Sequence, residues 1–165
     1  MKDRERNKRL CRSIISLLML LLLAACQTVP SGLNAKQVEV LKQNGFELTD
    51  QGWLLNLSNK LLFGFDAVAP GEEEKELTSR LATSLLEVNI TQVRLEGHTD
   101  SIGTQAYNDT LSLNRARTVQ ELFIEAGFNP DSISVQGLGS RYPVADNDTE
   151  EGRSENRRVS IIVQP

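Results

Sequence analysis

The chain has 165 residues, 39% hydrophobic and 24% charged, with a formal net charge of -4, one histidine and two cysteines. That length suits one compact domain with an extension. An acidic balance makes nucleic acid and anionic lipid headgroups poor partners, and a single histidine leaves little from which to build a His/Cys metal centre or a proton-shuttling triad.

Residues 1–25 read as an export signal. A basic start precedes an apolar run from Ile14 to Ala25, shorter than the roughly 20 residues that cross a bilayer. Leu23-Ala24-Ala25-Cys26 resembles the bacterial lipobox, which implies cleavage before Cys26 and acylation of that cysteine; the competing reading is an uncleaved signal anchor. Acyl chains, at about 0.8 kcal/mol per buried CH₂, would hold the protein to a leaflet. Gln27 directly after Cys26 is compatible with transport to the outer membrane. Cleavage removes Cys11 and anchoring consumes Cys26, so no disulfide is expected and the fold must rest on its core. It also removes six basic residues (Lys2, Arg4, Arg6, Lys8, Arg9 and Arg12) and two acidic ones (Asp3 and Glu5), which takes the formal charge from -4 to -8.

Residues 26–33 form a tether in which Pro30 and Gly32 argue against regular structure. Asn34 can cap a short helix carrying Val38 and Leu41, with Gly45 placed to end it in the left-handed conformation. Phe46–Leu48 and Trp53–Leu57 read as the two arms of a hairpin around Asp50-Gln51-Gly52. Leu61–Phe65 suits a buried strand. Pro70 and Glu72, Glu73 and Glu74 mark a helix start, since negative charge favours the positive end of the dipole, and Leu77, Leu81, Leu85 and Leu86 continue it. Val93 and Leu95 alternate with Arg94 and Glu96 as a strand. A second helix carries Leu111, Val119, Leu122, Phe123 and Ala126 and stops at Gly127; Ile133 and Val135, then Val159–Val163, are further strands. This alternation predicts an α/β domain with helices on one face of a small mixed sheet.

The stretch around His98 admits three chemistries. His98, Asp100 and Ser101 suggest a hydrolase, but in an extended chain Ser101 points away from the other two and no second histidine exists to shuttle a proton. Asp146, Asp148 and Glu150 have calcium-loop alternation, yet Glu151 stands where glycine should turn the chain and Arg157 where a bidentate glutamate should close it. A binding pocket fits better. Asp100 follows the strand end at Gly97, where α/β sheets place ligand groups, and Asn108, Ser112 and Arg115 share one helix face. A carboxylate and a guanidinium across a cleft suit a zwitterion; equally, Asp100 and Arg115 could simply pair with each other.

LEGHTDSIG (95–103), YNDTLSLNRA (107–116), GLGSRYPVADN (137–147) and GRSENRRVSIIV (152–163) together resemble the OmpA-like peptidoglycan-binding domain over roughly residues 60–164. The resemblance implies a βαβαβ domain that is no enzyme and needs no cofactor. Its implied ligand is the meso-diaminopimelate of peptidoglycan stem peptides, with Asp100 on the ammonium, Arg115 on a carboxylate and Asn108 supporting the loop. Arg157 and Asp66 match further contact positions. A lysine-type wall lacks the terminal carboxylate, so Arg115 would be left desolvated and unpaired on it.

Four segments follow: signal 1–25, lipidated tether 26–33, helix and hairpin extension 34–59, and OmpA-like domain 60–165. The extension resembles that of outer-membrane lipoproteins that capture a periplasmic repressor of a membrane diguanylate cyclase. Val38, Leu41, Phe46 and Trp53 would then be the partner-binding residues, or would pack on their own domain. Repressor capture, a plain outer membrane-to-wall tether and a homodimer all remain open from the sequence.

Overall fold

The computed structural model describes residues 32–59, 62 and 70–165. In chain order the elements are α1 (Ala35–Gln43), β1 (Glu47–Thr49), β2 (Gly52–Ser58), α2 (Glu72–Glu87), β3 (Val93–Gly97), α3 (Gln105–Glu125), a 3₁₀ turn (Pro130–Ser132), β4 (Ile133–Gly137), α4 (Glu150–Asn156) and β5 (Arg158–Val163). The five strands form one mixed sheet ordered β1-β2-β5-β3-β4. β5 lies antiparallel to both β2 and β3, and β3 runs parallel to β4. That parallel pair needs a crossover, which α3 supplies.

Alternation along β5 divides the sheet into two faces. Val159, Ile161 and Val163 join Leu95, Val93 and Ile133 in a core with Leu81, Ala82 and Leu85 of α2 and Ala116, Val119 and Phe123 of α3. The opposite face carries Arg158, Ser160 and Ile162, with Asn56, Ser160, Glu96 and Gln136 in register across four strands. Phe123 and Phe128 close the core with ring centroids 5.0 Å apart.

The helices begin and end where local chemistry directs. Asn34 accepts from the Gln37 amide and Gln37 returns the bond to Asn34, a reciprocal capping box. Gly45, at φ 83°, lets its own N–H reach the Lys42 carbonyl while Phe46 N–H closes on Leu41, the left-handed ending expected of this glycine. In α2 the buried stripe is Thr78, Leu81, Ala82 and Leu85, while Leu77 is 45% exposed; the helix is rotated by about one residue from the expected leucine stripe.

Residues 34–59 are woven into this fold instead of standing apart from it. β2 pairs with β5 from Trp53↔Val163 to Ser58↔Arg158, and Gln37 of α1 donates to the Val88 carbonyl beyond α2 at 3.0 Å. Leu41, Phe46 and Trp53 are buried in the shared core, with Val38 packed against it. At full burial each such side chain contributes about 1.5–3 kcal/mol, which is why they lie inside in this arrangement. The strand that precedes α2 in the described chain is therefore β2. The expected strand Leu61–Phe65 lies outside the described residues apart from Leu62, which is helical and buried. The signal, Cys26, residues 26–31 of the tether and Asp66 also lie outside them.

Candidate functional site

The site is built where β3 runs into α3. A Cβ on Gly97 would overlap the Ser112 carbonyl, so the glycine lets strand and helix approach closely enough to bring the loop 98–104 over the start of α3. Thr104 caps that helix by accepting from the Tyr107 amide. The buried stripe of α3 starts polar, with Asn108 and Ser112, and turns apolar from Ala116 onward. The polar half holds two segments: Asn108 Nδ2 reaches the Asp100 carbonyl of the 98–104 loop at 3.5 Å, and Ser112 Oγ accepts from the amide of Gly139, just after β4, at 2.9 Å.

Asp100 is 8% exposed. Its Oδ1 accepts from the Ile102 amide at 3.0 Å, and its Oδ2 accepts from Arg157 Nη1 at 2.8 Å. Arg157 Nη2 donates to Glu150 Oε1 at 2.7 Å, and Glu150 Oε2 in turn accepts from Arg153. Burial works against the Arg157 charge, but its hydrogen bonds to Asp100 and Glu150 prevail and raise its pKa. The bonds from Arg157 and then Arg153 hold the exposed Glu150 carboxyl below its ordinary value.

Arg115 is half-buried and donates through Nη1 to the His98 carbonyl at 3.2 Å. Burial lowers its pKa, Asp100 offsets part of that, and Arg157 adds repulsion. Among the described residues it has no carboxylate within ion-pair distance, so Asp100 and Arg115 do not satisfy each other. Asp100 is instead shared with Arg157, and the remaining donors of Arg115 have no ion-pair partner there. With Glu150 and Arg153 included, the group has two carboxylates and three guanidiniums, a net positive site on an acidic chain, suited to a ligand that carries carboxylates beside an ammonium.

Two features of the surroundings were not anticipated from the sequence. The stretch Asp146–Glu151, which has the alternation of a calcium loop, leads into α4, whose N-cap Thr149 accepts from the Gly152 amide. Thr149 followed by Glu150 and Glu151 is a helix-start signal. Asn156, fully buried at the end of α4, accepts from Val144 and Ala145 and donates to the Ala145 carbonyl and Asn147 Oδ1. Asn147 Oδ1 also accepts from the Ser101 amide, so this one side chain ties the loop after β4 to the loop that carries Asp100. His98 faces elsewhere: it is 3% exposed, lines a cavity on the polar face of the sheet, and burial followed by repulsion from Arg158 lowers its pKa to about 3. Among the described residues no group of three His, Cys, Asp or Glu is placed to hold a metal ion.

Residues 62–157 match the OmpA family model. The chain is 50% identical over 143 residues to the outer-membrane lipoprotein YfiB of Pseudomonas aeruginosa, covering 86% of this chain and 85% of that one. It is 37% identical over 103 residues to the peptidoglycan-binding protein ArfA of Mycobacterium tuberculosis, covering 62% of this chain and 32% of that protein. The cell wall anchor of the type VI secretion system from P. aeruginosa superposes with a TM-score of 0.62 at 27% identity, covering 82% of this chain and 99% of that one. As the relative that matches along most of its length carries the name of an outer-membrane lipoprotein, the chain is placed in the outer membrane, lipid-anchored and facing the periplasm. With more than half its length matched by that family model, and half of the residues identical to a relative along most of both chains, the chain belongs to the OmpA family.

Proposed function

We propose that this protein binds diaminopimelate-type peptidoglycan non-covalently from the outer membrane, to which acylated Cys26 fastens it. The convergence of Asp100, Asn108, Arg115 and Arg157 around one loop carries the reading. Asp100 takes the ammonium at the far end of the stem, Arg115 takes the adjoining carboxylate, and Arg157 sets the carboxylate of Asp100; Asp66 is a further contact. A cell-wall anchor and a peptidoglycan-binding protein among the similar proteins support the ligand class. No bond is made or broken, so the protein is a binder and not an enzyme.

Co-sedimentation with isolated sacculi tests this. Asp100→Ala and Arg115→Ala should each abolish binding while leaving the thermal transition in place. Wild-type sedimentation by either folded variant would refute the assignment.

Likeness to YfiB over most of the chain supports a second layer. The protein sequesters a periplasmic repressor of the YfiR type through residues 34–59, relieving inhibition of a membrane diguanylate cyclase and so raising cyclic-di-GMP. The other reading is a structural tether between outer membrane and wall. Because Leu41, Phe46 and Trp53 are buried, capture through them requires the segment to move, whereas Leu48 is 67% exposed and is available as it stands. Affinity capture from the envelope should lose the repressor with Leu48→Asp and keep wall binding; no repressor on the wild-type protein would favour the tether.

A further inference from the structure

The polar face of the sheet holds a buried cation that has no ion-pair partner among the described residues. Arg158 is 5% exposed. Its guanidinium meets only carbonyls, Nη2 donating to Tyr142 at 3.1 Å and Nη1 to Asn156 at 3.4 Å, while Nε is buried without a partner. Among the described residues no carboxylate lies within ion-pair distance of it. Glu96 acts on it electrostatically, but that carboxylate is held by Arg94, whose Nε lies 2.8 Å away in an ion pair too misaligned to count as a hydrogen bond. Buried charges are ordinarily paired, because leaving one unpaired costs several kcal/mol.

Beside this cation is a cavity of about 490 Å³ lined by Arg158 and His98, within the range of small-molecule sites. The His98 imidazole is buried with Nδ1 unpartnered. Its depressed pKa keeps it neutral at physiological pH, so it offers a hydrogen bond and no charge. One side of the mouth is apolar, where Tyr142 and Val144 are 60% and 56% exposed, while the rest of its rim is polar, with Asp50, Gln51, Asn56 and Gln136. Exposed apolar side chains around a buried guanidinium match a molecule with one anionic end and an apolar body. Glu96, on the same wall, opposes a second negative charge.

We propose that this cavity is a second binding site, for a small monocarboxylate with an apolar body, whose carboxylate meets Arg158 and His98 and whose body lies against Tyr142 and Val144. It is lined by other side chains than the wall-binding site. The two are joined through the His98 backbone, whose N–H donates to the Arg158 carbonyl and whose carbonyl accepts from Arg115.

The test is a nuclear magnetic resonance titration of the full chain in detergent micelles, labelled at arginine, with benzoate, benzamide and inorganic phosphate as probes. Benzoate should move the Arg158 Nε–H signal saturably, and benzamide and phosphate should not. In Arg158→Gln, which removes that signal, benzoate binding is followed by isothermal titration and should be lost; retained binding would overturn the proposal. Should that variant not fold, Gln136→Glu, which adds a negative charge at an exposed lining position, should weaken benzoate binding at least about tenfold through like-charge repulsion. No saturable shift with benzoate, an equal response to benzamide or phosphate, a response centred on Arg115, or unchanged affinity in Gln136→Glu would overturn the proposal.

Discussion

Arg157 Nη1 lies 2.8 Å from Asp100 Oδ2, although 57 residues separate them, and the two side chains are 26% and 11% exposed. The carboxylate assigned to the ligand's ammonium is therefore already half-engaged by a cation of the protein. On the proposed function, a ligand's ammonium would take the open side of Asp100 and would not meet a naked charge. The arrangement keeps the carboxylate oriented at little stability cost, since a partly solvated pair of this kind contributes about 0–1 kcal/mol.

Arg157→Ala is thus expected to lower unfolding free energy by no more than about 1 kcal/mol in urea titration. Its effect on sacculus co-sedimentation should be larger, at least about tenfold, because Asp100 loses the partner that orients it in a partly desolvated site. Equal, small effects on both readouts would assign Arg157 to the fold alone.

Wall chemistry should matter as strongly as protein sequence. On the proposed function, a lysine-type stem would leave the Arg115 guanidinium without its carboxylate, and sites built to pair a polar group reject ligands lacking it by on the order of a hundredfold or more. Competition of sacculus binding by diaminopimelate and lysine stem peptides measures this ratio. Comparable inhibition by both would remove Arg115 from ligand recognition.

Asn156 is expected to be among the costliest polar side chains to remove. Asn156→Ala deletes four hydrogen bonds and leaves the Val144 and Ala145 amides unsatisfied, which should cost about 2–4 kcal/mol. A fall in the urea midpoint with unchanged m-value would report it. The Ser101 amide, which bonds Asn147, should exchange faster with solvent in the variant.

Acid should destabilise the protein through His98. Its folded pKa is lowered from 6.5 to about 3, so the unfolded chain takes up the proton first. The stabilising contribution is fully present above pH 6.5 and is lost as pH falls toward 3, amounting to several kcal/mol. His98→Gln should flatten the stability profile across that window in urea titrations at successive pH values. A slope identical to wild type would show that another group governs it.

Much of the site could be read from spacing. Asn108, Ser112 and Arg115 fall on one helix face by arithmetic, and Asp100 follows a strand end marked by Gly97. What local pattern could not supply is tertiary pairing. Whether Asp100 answers Arg115 or Arg157 depends on β5 lying beside β3, which no window of sequence contains. The same limit applies to Trp53 and Phe46: an amphipathic stretch looks alike whether it covers its own core or a partner's. Two signals went unused. Thr149 with Glu150 and Glu151 announces α4. In Arg158–Val163 the alternation of Arg158, Ser160 and Ile162 against Val159, Ile161 and Val163 places an arginine on a buried strand opposite the helices.

The pairing of β2 with β5 bears on how partner capture can be dissected. A protein cut back to residue 60 would lose two of the five described strands, and β5, whose six residues are all buried, would become a raw hydrogen-bonding border open to pairing with any other chain. Loss of a partner by such a truncation would then report aggregation or misfolding as readily as a missing contact. Surface point changes such as Leu48→Asp, which leave that border covered, are the cleaner instrument.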